Sequence, residues 1–594
     1  MRGRLALFVL GWLLVLGGGF IAHRVETAGR VAIADVRYRG GAAETLAARL
    51  YRPFSATPAH PAPAVMLAHG YINTRDMQTP FAIELARRGF VVLSIDMAGH
   101  GDSGGHVFGD DMGGPAGLGY LRSLPFVDRS QVGMEGHSMG GVPVVSAAAA
   151  DPAGYRSMVL EGSTTAEPGQ VGDGDGQFPH NLQVVFGRWD EFAPLMWGEA
   201  KGADVGRSPK MQALFGVQGP IAPGRLYGDI SNGSARRLLI PPVDHPMEHF
   251  SAAGVGAAVD WFQRTLHGEA SPRAAGDQIW LWRDVGTGLG LIGFVCVVLG
   301  AFEALLATPF FASVAIREGE AQSSVARALD GRWLAGVLLC AAIPAASYFP
   351  LMDLGAFFTP SQLYPEAVAN QIVVWGVVNA AVGIVVGVIL GRRRTTRRTA
   401  VAKSVILGAC CVALGYLALM ASRTLFGTDF RFWVVALRPL DARHAPMVLA
   451  YLPPFLLSFW VMMRNLAAGV LPPLHGSARQ YGAAIAGLTG GFAVLLALQY
   501  AVLLIGGSLP DPRQALNTII AIQFAPLLAF AALVGTFVWR RTGGYAVSAT
   551  ICALIFSWYI VAGTATHWHP GYAPAKPVGL YPSHPAASAS RGAP

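Results

Sequence analysis

Hydrophobic residues fall into two patterns along this chain. One is the long, nearly uninterrupted apolar run. It occurs first as "LALFVLGWLLVLGGGFIAH" behind Arg2 and Arg4, then near residues 286–309, 332–350, 369–391, 403–421, 446–464, 483–507, 515–538 and 544–563. Each run approaches the ~20 apolar residues a helix needs to cross ~30 Å of hydrocarbon. The other pattern fills residues 30–267, where apolar runs of strand length alternate with helical stretches and turn residues. That alternation predicts a mostly parallel sheet covered by helices on both faces.

Within the second region, "VAIADVRYRG" and "TLAARLYRPF" read as an opening antiparallel pair, and "PAVMLAHG" and "FVVLSIDM" as buried strands. Between the last two, "PFAIELARRG" is an amphipathic helix closed by Gly89. "RSQVGMEG" is a strand leading into the apolar helix "VPVVSAAAA", and "YRSMVLEG", "NLQVVFG" and "ARRLLIPP" are three more strands before the closing helix "GVGAAVDWFQRTL". The expected organisation is an N-terminal anchor (1–22), an α/β domain (23–280), an all-α membrane domain of about eight spans (281–565) and a Pro-, Ala- and Ser-rich disordered tail (566–594). In that tail His567 and His569 read as a solvated pair rather than as metal ligands.

Arginine placement orients the spans. With the N-terminus inside, the inside loops carry Arg317, Arg327 and Arg332, the stretch "GRRRTTRR" (391–398), Arg464 and Arg479, and Arg540 and Arg541. Outside loops such as "LMDLGAFFTPSQLYPE" and "GSLPDPRQ" carry little positive charge. One loop resists: residues 422–445 hold Arg423, Arg431, Arg438 and Arg443 yet fall outside, and "FRFWVVAL" within them reads as an interfacial segment. The first run reads as a retained signal-anchor. A cleaved signal peptide, its alternative, would also put the α/β domain outside the cytoplasm.

Composition agrees with a membrane protein: 53% of the 594 residues are hydrophobic and 13% charged, against about 25% charged in soluble domains. The net charge of +8 is dominated by arginine. It carries no nucleic-acid motif and no basic stripe with interleaved aromatics, so a nucleic-acid partner is not expected. All five cysteines lie in the apolar runs, which leaves the α/β domain without a disulfide or a thiolate metal site.

The candidate chemistry centres on Gly136-His137-Ser138-Met139-Gly140, a G-x-S-x-G sequence. In a chain with 73 glycines that pattern is weak by itself. Its context is what matters: Ser138 falls between a buried strand and a helix, where a sharp turn lifts the hydroxyl out of the sheet's carboxyl edge. A serine nucleophile needs a base, and the base an orienting acid. Asp190 follows the strand "NLQVVFG" and His245 follows "ARRLLIPP", which is expected to place Ser138, Asp190 and His245 at three adjacent strand ends in the order Ser, Asp, His. Glu191 and Glu161 compete for the acid and His249 for the base. The oxyanion hole is expected from the backbone N–H groups of Tyr71 and Met139. "HPMEH" also fits H-x-x-E-H, a zinc pattern, but Pro246 opposes a continuous helix there. His69, His100 and His137 read as structural hydrogen-bonding partners. Glu303, inside an apolar run, is read as reaching the membrane interface.

"AHGY", "DMAGHGDSGG", "GHSMGG" and "GRWDEF" resemble the strand-end motifs of the α/β-hydrolase superfamily across nearly all of residues 30–267. The resemblance implies an α/β-hydrolase fold and acyl transfer through a serine, with no cofactor. It leaves esterase, lipase, peptidase and acyltransferase open. The expected function is a membrane-bound serine hydrolase acting outside the cytoplasm on an ester, lipid-like esters among the candidates, with the bilayer and that substrate as its partners. The alternatives are a peptidase or acyltransferase on the same scaffold, or a sensor or transporter whose hydrolase-like module only binds ligand. The insertion of about 45 residues after Asp190 is expected to wall or cover the site.

Overall fold

The computed structural model describes residues 2–41, 44–165, 173–266, 273–316, 329–390, 400–472, 474 and 476–570. The arginines at 317, 327 and 392–398, and the tail beyond residue 570, lie outside the described residues.

The α/β region forms one nine-stranded sheet from β1 (Val31–Arg39), β2 (Thr45–Pro53), β3 (Ala62–Ala68), β4 (Val91–Ile95), β5 (Val127–His137), β6 (Ser157–Glu161), β7 (Leu182–Val185), β8 (Leu226–Tyr227) and β9 (Arg236–Leu239). Its spatial order is β1-β2-β4-β3-β5-β6-β7-β9-β8. From β4 through β9 every neighbouring pair is parallel, while β1, β2 and the short edge strand β8 pair antiparallel.

Two apolar layers sandwich the sheet. On one face α3 (Gly114–Ser123) and α4 (Gly141–Ala150) bring Leu118, Leu121, Val144 and Val145 onto Met66, Met134 and Leu160. On the other, α2 (Thr79–Ala86) and α7 (Ala252–Thr265) bring Phe81, Leu85, Trp261 and Phe262 onto Val65, Leu67 and Val159. Adjacent strand residues such as Val65 and Met66 thus serve opposite faces, as a period of two requires, and strands covered on both faces read as continuous apolar runs. Beyond β7, α5 (Ala193–Trp197) and α6 (Pro209–Phe215) occupy the insertion.

Among the described residues, eight helices are long and apolar enough to cross a membrane, and a bent pair brings the number to nine. They begin with α1 (Arg2–Thr27) and α8 (Trp280–Leu306). These two pack so closely that a Cβ on Gly18 would lie 2.3 Å from the Gly286 carbonyl, the small-residue contact typical of membrane helices. The run expected at 332–350 is the bent pair, α9 (Gly331–Ala346) and α10 (Tyr348–Gly355), which meet at 43°. Then follow α11 (Ala367–Ile389), α12 (Val401–Phe426), α13 (His444–Asn465), α14 (Ser477–Gly506), α15 (Ala515–Thr542) and α16 (Ala546–Gly563). Glu303, near the end of α8, pairs with Arg541 at the end of α15, 2.8 Å from its Nε.

The segment expected to be interfacial, within the arginine-rich loop 422–445, is folded as a hairpin. Residues Phe430–Phe432 (β10) and Val435–Leu437 (β11) form a hairpin, and the loop's arginines engage the α/β domain. Arg423 pairs with Asp35, Arg431 and Arg438 lie 3.9 and 3.7 Å from Asp76, and Arg443 Nη2 donates to the Gly101 carbonyl at 2.8 Å. Arg49, from β2, approaches Asp76 at 3.1 Å. Burial alone would raise the Asp76 carboxyl, but Arg49, Arg431, Arg75 and Arg438 hold it well below the usual carboxylate range. The loop's positive charge is thus met in part by carboxylates of the α/β domain, Asp35 for Arg423 and Asp76 for Arg431 and Arg438, while Asp429 of the loop itself is the nearer partner of Arg431.

Asp76→Asn leaves these buried guanidiniums short of a counter-charge. Breaking a buried pair costs about 3–5 kcal/mol, so we expect a clear fall in the thermal midpoint of the detergent-solubilised protein. Asp204→Asn, at an exposed pair 3.7 Å from Arg207, should shift the midpoint little. Equal shifts for the two variants would show that the Asp76 cluster does not hold the domains.

Candidate active site

The turn at Ser138 follows from its glycines. β5 ends at His137 and α4 starts at Gly141, so the chain must reverse from strand to helix within three residues. Ser138 takes φ +55°, the left-handed region, which costs a residue with a Cβ about 1–2 kcal/mol. Its neighbours have no room for side chains: a Cβ on Gly136 would sit 2.2 Å from the Gly140 carbonyl, and one on Gly140 2.2 Å from the Ala68 carbonyl. Ser163 Oγ donates to the Ser138 carbonyl at 2.5 Å and ties the turn to the end of β6.

His245 opens a short helical turn after β9, capped by Asp244, whose Oδ1 accepts from Met247 N at 3.0 Å. Its ring Nδ1 lies 2.8 Å from Asp190 Oδ2, and both side chains are buried. Asp190 is oriented in turn, since its Oδ1 accepts from Phe192 N at 2.7 Å. With Nδ1 held by a carboxylate, Nε2 remains as the nitrogen for proton exchange. The strand ends are not all adjacent as the chain order suggests: β6 stands between β5, which bears Ser138, and β7, which bears the Asp190 loop.

The competing residues have other partners. Glu191 Oε2 accepts from the His245 backbone N–H at 3.0 Å, and its Oε1 accepts from Tyr500 Oη on α14 at 2.8 Å. Glu161 is buried at the end of β6, and its carboxylate makes no hydrogen bond among the described residues. His249 Nδ1 lies 3.3 Å from His137 Nε2, whose ring packs on His245 with centroids 4.8 Å apart. His69 accepts from Met97 N at 3.1 Å, and the ring nitrogens of His69 and His100 also meet backbone carbonyls.

Ser138 and His245 line one cavity of about 740 Å³ together with Tyr71 and Met139. Its far wall differs from the one expected. Of the insertion after Asp190, only Phe192, Leu195 and Met196 reach the cavity, which is completed by Val434 of the hairpin and by Leu516, Ile519 and Gln523 of α15. Tyr71 is anchored from the membrane domain as well: its Oη is hydrogen-bonded to His567 Nε2 at 2.8 Å. His567 is buried, in contrast to the solvated tail histidine expected from the sequence. The backbone N–H of Val107 donates to Thr566 O, and that of Thr566 to Gly99 O, which binds the segment after α16 onto the α/β domain. His569 lies farther out, 3.1 Å from Glu44.

Comparisons with known proteins point to one superfamily. Residues 41–170 match the X-Pro dipeptidyl-peptidase (S15) family. A monoacylglycerol lipase of Mycolicibacterium smegmatis is 31% identical over 197 residues, which cover 30% of this chain and 62% of that protein. Similar solved structures include a dienelactone hydrolase from Anabaena variabilis (20% identity, 40% of this chain and 100% of that one, TM-score 0.28) and a Pyrococcus furiosus esterase (14%, 40% and 92%, TM-score 0.28). Residues 31–266 are an α/β-hydrolase domain.

Behind His245 the hydrolase domain buries more acid than its ion pairs use. Burial pushes the carboxyls of Glu161, Glu191 and Glu248 well above the usual range, with Asp244 and Asp190 adding to the effect at Glu191 and Asp190 and Glu161 at Glu248. Glu248 Oε1 accepts from Gly187 N at 2.5 Å, while its Oε2 stands 3.8 Å from His245 Nδ1. His137, His245 and Glu248 present ligand atoms within 4.8 Å of one another, the nearest approach to a metal site among the described residues. A metal on His245 Nδ1 would have to displace the 2.8 Å contact with Asp190. The zinc pattern's second histidine, His249, faces His137 instead.

Glu161 allows a pH test. Its carboxyl, ordinarily near 4.5, is raised in the folded state. The native protein therefore keeps a proton that the unfolded chain releases above about pH 4.5. That contribution to stability is complete below about pH 4.5 and is lost as pH rises through the folded value. Glu161→Gln removes the dependence. We expect it to raise the thermal midpoint at about pH 8 more than at about pH 5; a gain that does not grow with pH would mean that Glu161 is ionised in the fold.

Proposed function

We propose that this chain is a membrane-bound serine hydrolase that cleaves a carboxylic ester, with Ser138 as nucleophile, His245 as base and Asp190 as orienting acid. The observation that carries the reading is the Asp190-held imidazole of His245, sharing one cavity with a serine in a strained left-handed turn. In this mechanism His245 Nε2 takes the Ser138 proton as Oγ attacks the carbonyl carbon. Asp190 stabilises the imidazolium, and the backbone N–H groups of Tyr71 and Met139 receive the negative charge on the carbonyl oxygen. Collapse expels the alcohol with the proton from His245. Water, deprotonated by His245, then releases the acid and restores the serine.

An ester is preferred over a peptide on charge grounds. The family match at residues 41–170 supports a peptidase as the second reading. Yet among the described residues that line the cavity none is an Asp or Glu that would neutralise a peptide's ammonium group. The monoacylglycerol lipase relative and a wall built from a membrane helix favour an apolar ester. An acyltransferase would differ only in the acceptor, and product analysis separates it. A purely ligand-binding module would not need an imidazole held by a buried carboxylate.

The domain is assigned to the outside of the cytoplasm. The hydrolase domain, the 422–445 loop and the segment after α16 bind one another. With the bent pair counted as one span and Arg464, Arg540 and Arg541 inside, alternation of the spans supports all three lying outside.

Fluorophosphonate should label membranes carrying the wild type at Ser138 and not label Ser138→Ala. Asp190→Asn should lower kcat for an ester about 10,000-fold by presenting the wrong imidazole tautomer, and His249→Ala should lower it by less than about tenfold, as a residue outside the proton path. A folded wild type that resists labelling would end the enzyme reading. A separate measurement addresses the side. Arg207, 72% exposed, changed to Cys should react with an impermeant maleimide in intact cells above the wild-type background, whose cysteines all lie in the membrane helices. Reaction only after the cells are opened would reverse the topology.

A further inference from the structure

The cavity at Ser138 does not stop at the hydrolase domain. Ile72, Asn73, Met77, Val434 and Gln523 line it, and the same five residues line a second cavity of about 730 Å³ that extends between α11, α15 and α16. The two cavities meet at these shared residues, which we take as the neck between them; Tyr559 Oη donates to Gln523 Oε1 there. Beyond it the wall is mainly apolar, with Ile372 from α11, Phe524 and Leu527 from α15, and Phe556 and Ile560 from α16, beside Arg431 and Arg438.

The two charged groups that line this second cavity are already engaged. Arg431 is held by Asp429 at 2.7 Å and Arg438 Nη1 donates to the Ala562 carbonyl at 3.2 Å. Both also face Asp76. The polar end of the combined space is thus the serine and its histidines, and the deep end is hydrocarbon-like. A ligand that fills it must be polar at one end and apolar along a chain.

We propose that this chamber receives the long hydrocarbon chain of the ester whose carbonyl is presented to Ser138, so that the membrane domain supplies the distal half of the substrate site. The proposal rests on the serine-hydrolase reading and names its substrate class: esters of a long, unbranched chain. The eight C-terminal spans then have a part in recognition as well as in anchoring. Each methylene that enters the chamber from water favours binding by roughly three- to fourfold until the space is full.

The test uses the full chain in membranes and an alkyl fluorophosphonate with a terminal diazirine, on a chain of roughly twelve carbons chosen so that its last methylenes reach past the neck. After reaction at Ser138 and irradiation, we expect crosslinks within residues 515–542 or 546–563 of the same chain, absent in Ser138→Ala. Adducts at Ser138 whose diazirine crosslinks only within residues 31–266, or only to bilayer lipid, would overturn the chamber. Failure to form any Ser138 adduct would instead reject the hydrolase reading beneath it. In the wild type, labelling rates for monomeric probes should climb steeply with chain length. Ile520→Trp, which narrows the chamber, should lower the rate of the long probe relative to an ethyl probe by at least about tenfold. Rates independent of chain length in the wild type, or an unchanged ratio in a folded variant, would also overturn it.

Discussion

The structure depends on charge buried between its two domains. Asp76 sits in a short turn just beyond Tyr71 and faces Arg49 of its own domain together with Arg431 and Arg438 of the membrane domain. Around this centre Asp429 binds Arg431, Arg75 binds Asp102 at 2.6 Å, and Arg283 joins Glu26 at 2.8 Å. Taking so many ions out of water is costly, and only dense, well-directed pairing offsets it. Such a cluster is a poor general adhesive but a demanding one: a small displacement leaves an unpaired charge in a dry place. It therefore holds the domains in one relative position rather than merely together.

That position matters because each loop of the candidate site is gripped from the membrane domain. His567 holds Tyr71 through its hydroxyl. Tyr500 donates to Glu191, which in turn accepts from the His245 backbone. Trp433 donates to the Pro246 carbonyl at 3.2 Å, one residue past His245. Chemistry at a serine demands that donors and base be placed within a fraction of an ångström. In a domain that stood alone these would be surface loops, the least rigid parts of the fold. Here they are clamped between the sheet and the helices, and the left-handed backbone of Ser138 is held by glycine contacts from below.

Much of this is legible in the sequence, and the limits have physical causes. The parallel strands announce themselves as short apolar runs because both faces are covered. The turn at Ser138 is readable because only glycine allows its close contacts. Helix α3, "GPAGLGYLRS", escapes such a reading: its three glycines oppose helix formation, and burial against the sheet overrides that weak preference. The two-residue β8 carries no periodic signal. The insertion after Asp190 covers less of the site than its length suggests, since sequence separation cannot reveal that α15, more than 300 residues away, forms that wall. His567 reads as solvated because composition describes a tail as a whole, whereas its first residues dock. The arginines of 422–445 are the instructive case. They resist the charge pattern expected of the loops, and three of them, Arg423, Arg431 and Arg438, meet carboxylates on another domain.

The architecture also bears on how an apolar ester could leave a bilayer for a polar catalytic centre. A chain drawn into water loses roughly 0.8 kcal/mol for each methylene exposed, so a lipase that stands in solution must offer its own apolar cover before the substrate moves. A cover built from the enzyme's membrane helices changes that requirement. The chamber between α11, α15 and α16 adjoins the cavity at Ser138, and residues of both domains line the boundary they share. A chain could then pass from lipid to the enzyme without a large aqueous interval. The rigid charge cluster suits such a transfer. If the substrate path crosses the domain boundary, the boundary must not move, since a gap of one water layer there would reinstate the hydration cost that the fusion of the two domains removes.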